Sequence, residues 1–251
     1  MGTGTSSGVP LIACKCLTCL SDDSRDNRLR CSVLIQSENI TIVIDSGADF
    51  RQQMLTHKVD KLDAIIFTHH HNDHISGFDD VRAFNYIQNK PMPIYLNDKT
   101  LQYLKQVFSY AFDELEQIGG GVPQIDVNLI DASKFKIGDI DIEPIQLMHG
   151  NLEVFGFRIG NFAYCTDTNF ISEESQAKLQ NIDILILDAL RFTPHPTHFT
   201  VAEALKIIEK LKPKQTYLTH IAHQIKHSEC EATLPENVYI AYDGLQFEIE
   251  V

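Results

Sequence analysis

The chain has 251 residues, 43% of them hydrophobic and 22% charged, which is ordinary globular composition and length enough to bury a real core. Its formal net charge of -13 argues against general nucleic-acid binding, because that depends on basic surface. No stretch has the apolar length of a membrane span, and no charged region followed by an apolar run opens the chain, so a cytoplasmic protein with no membrane partner is expected.

The first informative stretches lie near the start. TGTSSGVP reads as a tight strand–loop turn, with a phosphate cradle as the alternative. PLIACKCLTC (Pro10–Cys19) sets Cys14, Cys16 and Cys19 in a C-x-C-x-x-C spacing. Clustered thiols in a cytoplasmic chain bind metal more often than they pair. Zinc takes four ligands in a structural site and leaves one position open in a catalytic one. No further cysteine follows nearby, so the spacing alone leaves both open. CSVLIQ (Cys31–Gln36) and ITIVID (Ile40–Asp45) predict a hairpin across SEN. DAIIFT (Asp63–Thr68) predicts a buried strand running into a histidine cluster. DKTLQYLKQVFSYAF (Asp98–Phe112) has helical spacing behind an Asp; with the loop at Gly119–Gly121 it is a candidate lid.

A run of strands follows in IDVNLI, KIGDIDIEPIQLM, EVFGFRIG and NFAYCTD. SEESQAKLQN predicts a capped helix and IDILILDAL a buried strand. FTVAEALKIIEKL (Phe199–Leu211) predicts a second strong helix, capped by Thr200 with Glu203 as its capping-box partner. KQTYLTH and LQFEIEV are the late strands. The expectation is an α/β fold, a four-layer αββα sandwich forming a single domain over residues 1–251, with no short repeat.

The chemistry gathers at strand ends. FTHHHNDHISG (Phe67–Gly77) carries His69, His71, Asp73 and His74 as H-x-H-x-D-H. In extended chain His69 and His71 share a face, and a turn can fold Asp73 and His74 back toward a second metal. His149 follows EPIQLM, Asp167 ends FAYCT and His220 ends QTYLT, each a metal-capable side chain closing an apolar run. A solvated His-rich loop is the bland alternative.

With these residues the chain resembles the metallo-β-lactamase superfamily, whose signature matches His69, His71, Asp73 and His74. It is more specifically similar to the cyclic-phosphate phosphodiesterase branch. The resemblance extends from the glycine-rich start through the cysteine cluster to AYDGL (Ala241–Leu245). In that branch a short strand precedes the Gly-Thr-Gly turn, whereas here Met1 alone does. The resemblance implies one divalent ion, zinc or manganese, on His69, His71 and His149. A second would sit on Asp73, His74 and His220, with Asp167 bridging. It also implies a small-molecule phosphodiester substrate, Asp73 orienting the nucleophile, and His198 in RFTPHPTHFT serving the leaving oxygen ahead of His195. LTHIAH offers His223 as the fourth ligand of one structural zinc with Cys14, Cys16 and Cys19. A homodimer is suggested by the paired subunits common among such folds.

Alternatives on the same metals are a lactonase or thioesterase and a tRNA 3′-processing nuclease, the last disfavoured by charge. A coenzyme-biosynthesis branch shares the cysteines but is not expected to keep the full ligand set. A zinc- or redox-sensing binding protein is the non-enzymatic alternative. Arg191 reads as a surface residue ahead of a phosphate contact. His57 and His227 read as solvated, His70 as packed beside the ligands, Cys31 and Cys165 as core, and Cys230 as an exposed thiol.

Overall fold

The computed structural model describes residues 1–112 and 121–249. Helices and strands interleave along the chain, and the chain folds into two compact units. One comprises Ser32–Asp131 and Ile137–Asp139; the other comprises Met1–Cys31, Ala132–Lys136 and Ile140–Val251.

The first unit is built on a five-stranded sheet in simple order. Strands β1 (Val33–Gln36) and β2 (Thr41–Ile44) form the expected hairpin, closed by Ser37 N–H donating to Ile40 O at 2.8 Å. Next come α1 (Phe50–Thr56), β3 (Ala64–Ile66), α2 (Asn72–Ile75), α3 (Arg82–Gln88), β4 (Met92–Leu96), α4 (Asp98–Val107) and β5 (Ile125–Leu129). From β2 to β5 the pairing is parallel. Such strands are covered on both faces, which is why β2 and β3 are buried along their whole lengths and read as continuous apolar runs rather than alternating ones. Phe78 meets Phe67 edge-on and Phe108 at a tilt, with centroids 6.1 and 5.2 Å apart, and these rings pack against the chain that leaves β3. The predicted 98–112 helix ends at Val107 and continues as a short 3₁₀ turn over Ser109–Ala111. The lid reading depends on residues 113–120, which lie outside the described residues.

The second unit holds the larger sheet, of order β12-β11-β10-β9-β8-β7-β6. Its elements are β6 (Phe135–Ile137), β7 (Ile140–His149), β8 (Leu152–Ile159), β9 (Phe162–Cys165), α5 (Glu173–Lys178), β10 (Ile184–Asp188), α6 (Val201–Leu211), β11 (Gln215–Thr219), α7 (His227–Glu231) and β12 (Val238–Ile240). Strands β7 to β9 pair antiparallel, and β9 to β12 pair parallel. Leu185 and Leu187 of β10 are fully buried and pack with Ala204 and Leu211 of α6 in one apolar cluster. The Thr200–Glu203 capping box starts α6 as expected.

Three expectations need correction. LQFEIEV has the alternation of a strand, yet residues 245–249 carry none. The edge beside β11 is already taken by β12, and Phe247 instead lays its ring on Tyr217 and Phe162, at 5.6 and 5.8 Å. His227 is buried at 1% exposure, not solvated. Arg28 donates to its Nδ1 at 3.2 Å, Asp26 accepts from its backbone N–H at 2.7 Å, and burial lowers its pKa. Cys230 is buried at 2% exposure, and burial pushes its thiol up to about 11. Cys31 and Cys165 are core residues as expected. The opening turn is a tight one: Gly8 N–H donates to Thr5 O at 2.8 Å with φ of 66°, a left-handed conformation that glycine adopts without strain.

Candidate metal centres

In the first unit, the chain leaving β3 carries the H-x-H-x-D-H motif onto α2. His71 caps that helix in an extended conformation, so Asp73 and His74 sit in its single turn. The rings of His69 and His71 are 4.5 Å apart, those of His69 and His74 4.2 Å, and His74 Nε2 lies 3.3 Å from Asp73 Oδ2. The four motif residues are thus brought together.

Asp45, at the end of β2, organises them. Its Oδ2 accepts from His74 Nδ1 at 2.7 Å and from the Thr68 hydroxyl at 2.8 Å. Since Thr68 gives its proton to Asp45, its oxygen accepts from His69 Nδ1 at 3.0 Å. Both rings then carry their proton on Nδ1 and keep the lone pair on Nε2, the arrangement a metal-ligating histidine needs. Asp45 is completely buried; burial pushes its carboxyl up, and His74 and Thr68 oppose this. Asp45→Asn is expected to keep the fold but lower divalent-metal affinity roughly 10–100-fold, read by competition against a metal-sensitive dye; unchanged affinity would remove Asp45 from this role.

The second unit repeats the device. His149 closes β7 and donates from Nδ1 to Thr197 O at 2.7 Å, which again leaves Nε2 with the lone pair. Asp167 lies just past β9, where the Thr166 hydroxyl donates to its Oδ1 at 2.7 Å, and its Oδ2 is 3.4 Å from Nε2 of His220, the residue after β11. His198 stacks on His220 with centroids 4.5 Å apart and meets His149 edge-on at 4.5 Å. Its Nδ1 bonds Asp188 Oδ2 at 2.8 Å, and Thr168 N–H donates to that same oxygen at 2.9 Å. Asp45, Asp167 and His220 all have positive φ, between 51° and 64°. A left-handed residue at a strand end turns the chain sharply, an uncommon conformation that concentrates at functional sites.

His195 lies 5.1 Å from His198, with Nδ1 accepting from the Thr197 hydroxyl at 3.2 Å; burial first, then His198, hold its pKa below the usual value. Arg191 spends its guanidinium on Thr193 O and Pro194 O in its own loop. Sequence reasoning missed Asp45 and Asp188. The signal was present, since each ends an apolar strand as Asp167 does.

The cysteine cluster lies within the second unit. Ligand atoms of Cys14, Cys16, Cys19 and His223 all fall within 4.8 Å of one another, with His223 Nδ1 at 3.3 Å from Cys14 Sγ and 3.5 Å from Cys16 Sγ. A tetrahedral site with zinc–sulfur bonds of about 2.3 Å has edges of about 3.8 Å, so the spacing suits zinc. Backbone N–H groups of Leu11 and Cys19 donate to Cys19 Sγ and Cys16 Sγ at 3.3 and 3.4 Å. The Cys19 N–H and His223 lower the Cys16 thiol to about 6, while burial pushes Cys19 up to about 11. None of the six cysteines is in a disulfide.

A family model described as a β-lactamase superfamily domain matches residues 41–221. The chain is similar to the crystal structure of a diphosphatase of the PhnP family, with 42% identity, a TM-score of 0.93, and coverage of 100% of this chain and 96% of that one. The short form of human tRNase Z shares the fold at 17% identity and a TM-score of 0.70, over 100% of this chain and 98% of that one. An octanoyltransferase of Porphyromonas gingivalis is 33% identical over 100% of this chain. The chain spans 51% of that protein, about half its length. No helix among the described residues is long and apolar enough to cross a membrane.

Proposed function

The chain belongs to the metallo-β-lactamase superfamily and is a metal-dependent hydrolase with that family's αββα fold, and from this premise we propose that it hydrolyses a small phosphodiester. The observation that carries the metal-dependent part is the set of locked histidines. His69, His74 and His149 each commit Nδ1 to an oxygen and keep Nε2 for a ligand bond. The phosphoryl part rests on the likeness to a PhnP-family diphosphatase at 42% identity.

In this reading His69, His71 and His149 would hold one divalent ion, zinc or manganese, and Asp73, His74 and His220 would hold the other, with Asp167 available to both. Bound ions would supply Lewis acidity toward phosphoryl oxygen and water. Asp73 orients the attacking water. His198 delivers a proton from Nε2 to the departing oxygen, while Asp188 holds the ring through Nδ1. Cys14, Cys16, Cys19 and His223 would hold a third, structural zinc. A cyclic ribose phosphate or nucleotide fits best, and the charge of -13 disfavours polymeric nucleic acid. A diphosphate bridge is the second reading, favoured by the likeness to a diphosphatase.

The test is a hydrolysis panel under manganese, zinc and nickel, comparing cyclic phosphates, linear diesters, diphosphate diesters and lactones. Turnover concentrated on cyclic or linear phosphodiesters is expected. Preference for the diphosphates would select the second reading, and lactone turnover without any phosphoryl turnover would sink both.

A further inference from the structure

His70 sits between two residues of the metal motif, yet its ring is turned to a different use. It lies face to face with Tyr103, with centroids 3.9 Å apart and planes 19° from parallel. The ring of His71 is only 5.5 Å from that of His70. An aromatic pair therefore extends outward from the edge of the metal motif, one ring deep at His70 and two at Tyr103.

Tyr103 lies on α4, a helix started by the Asn97 side chain accepting from Thr100 N–H at 2.8 Å. Leu101 and Leu104 bury one side of that helix, at 7% and 0% exposure, while Tyr103 stays 43% exposed. One face of the phenol ring is covered by His70, and a ring this exposed has area to give a second planar group. Lys99 lies one turn back on the same helix and is exposed. A flat apolar face beside a cation, next to a motif that handles phosphoryl groups, matches the two halves of a nucleoside phosphate.

We propose that Tyr103, stacked on His70 and flanked by Lys99, is the specificity platform that binds the base of a nucleoside-bearing phosphodiester. This rests on the phosphodiester reading and narrows it to substrates that carry an aromatic base. Stacking of a base on an aromatic side chain is worth about ten-fold or more in binding, and none of it is available to a base-free sugar phosphate. Tyr103 touches the base and not the reacting atoms, so its loss raises KM and spares kcat.

The decisive measurement is calorimetric titration of AMP and of ribose 5-phosphate into the manganese-loaded protein and its Y103A and Y103F variants. The wild type is expected to bind AMP about ten-fold more tightly than ribose 5-phosphate, Y103A to bind the two alike, and Y103F to keep the preference. Alanine on an exposed helical position is well tolerated, and circular dichroism checks that Y103A is folded. Equal binding of the two ligands by the wild type, absence of binding of both, or a preference retained in Y103A overturns the proposal. Turnover gives the second arm: KM for a nucleoside 2′,3′-cyclic phosphate rises in Y103A, while that for a base-free cyclic ribose phosphate does not. A wild type that binds AMP preferentially yet hydrolyses no diester would sink the phosphodiester reading and leave the platform standing.

Discussion

Replacing His198 by alanine is expected to lower kcat on a phosphodiester by roughly two to four orders of magnitude, the usual worth of a positioned acid or base, with metal content unchanged. The ring is held by a single strong orienting contact, Asp188 Oδ2 on Nδ1 at 2.8 Å, inside a site where it is only 7% exposed. That contact takes up Nδ1 and leaves Nε2, on the other edge of the imidazole, for proton transfer. Asp188→Asn keeps the imidazole but loosens its orientation, so an intermediate loss is expected. Metal analysis of both variants by mass spectrometry separates the acid role from ligation. If His198→Ala loses an ion along with activity, His198 is a ligand; if turnover is unchanged, it has no part in the reaction.

Breaking the cysteine cluster should destabilise the chain without touching the chemistry directly. In Cys19→Ser or His223→Ala, the tightly held third zinc is expected to be lost on dialysis while two exchangeable ions remain. A ligand present at a hundred times its Kd contributes about 2.7 kcal/mol to folding, which for a chain of this size corresponds to roughly 5–11 °C in Tm. The cluster links Pro10–Cys19 to the residue three places after His220, so its loss frees the loop that follows β11. Wild-type protein that retains no zinc beyond the exchangeable pair after dialysis would refute the structural-zinc assignment.

What the sequence determined is what local pattern controls. The β1–β2 hairpin, the buried runs of β3 and β10, and the Thr200–Glu203 box that starts α6 each depend on residues within a few positions of one another. The same holds for the spacing of His69, His71, Asp73 and His74, where alternation in extended chain and one helical turn place the donors. What only the tertiary structure decided are pairings whose partners are remote in sequence. His223 meets Cys14 across 209 positions, Asp45 reaches His74 across 29, and Asp26 accepts from His227 across 201. His227 and Cys230 looked polar and exposed because their neighbours HSECEAT are polar, yet Arg28 and Asp26 supply the partners that allow that turn to be buried. LQFEIEV failed in the opposite sense, since its alternation is that of a strand but the sheet edge beside β11 belongs to β12. A local pattern states which face a residue prefers. Whether a hydrogen-bond partner or an open sheet edge exists for it is a property of chain brought in from elsewhere.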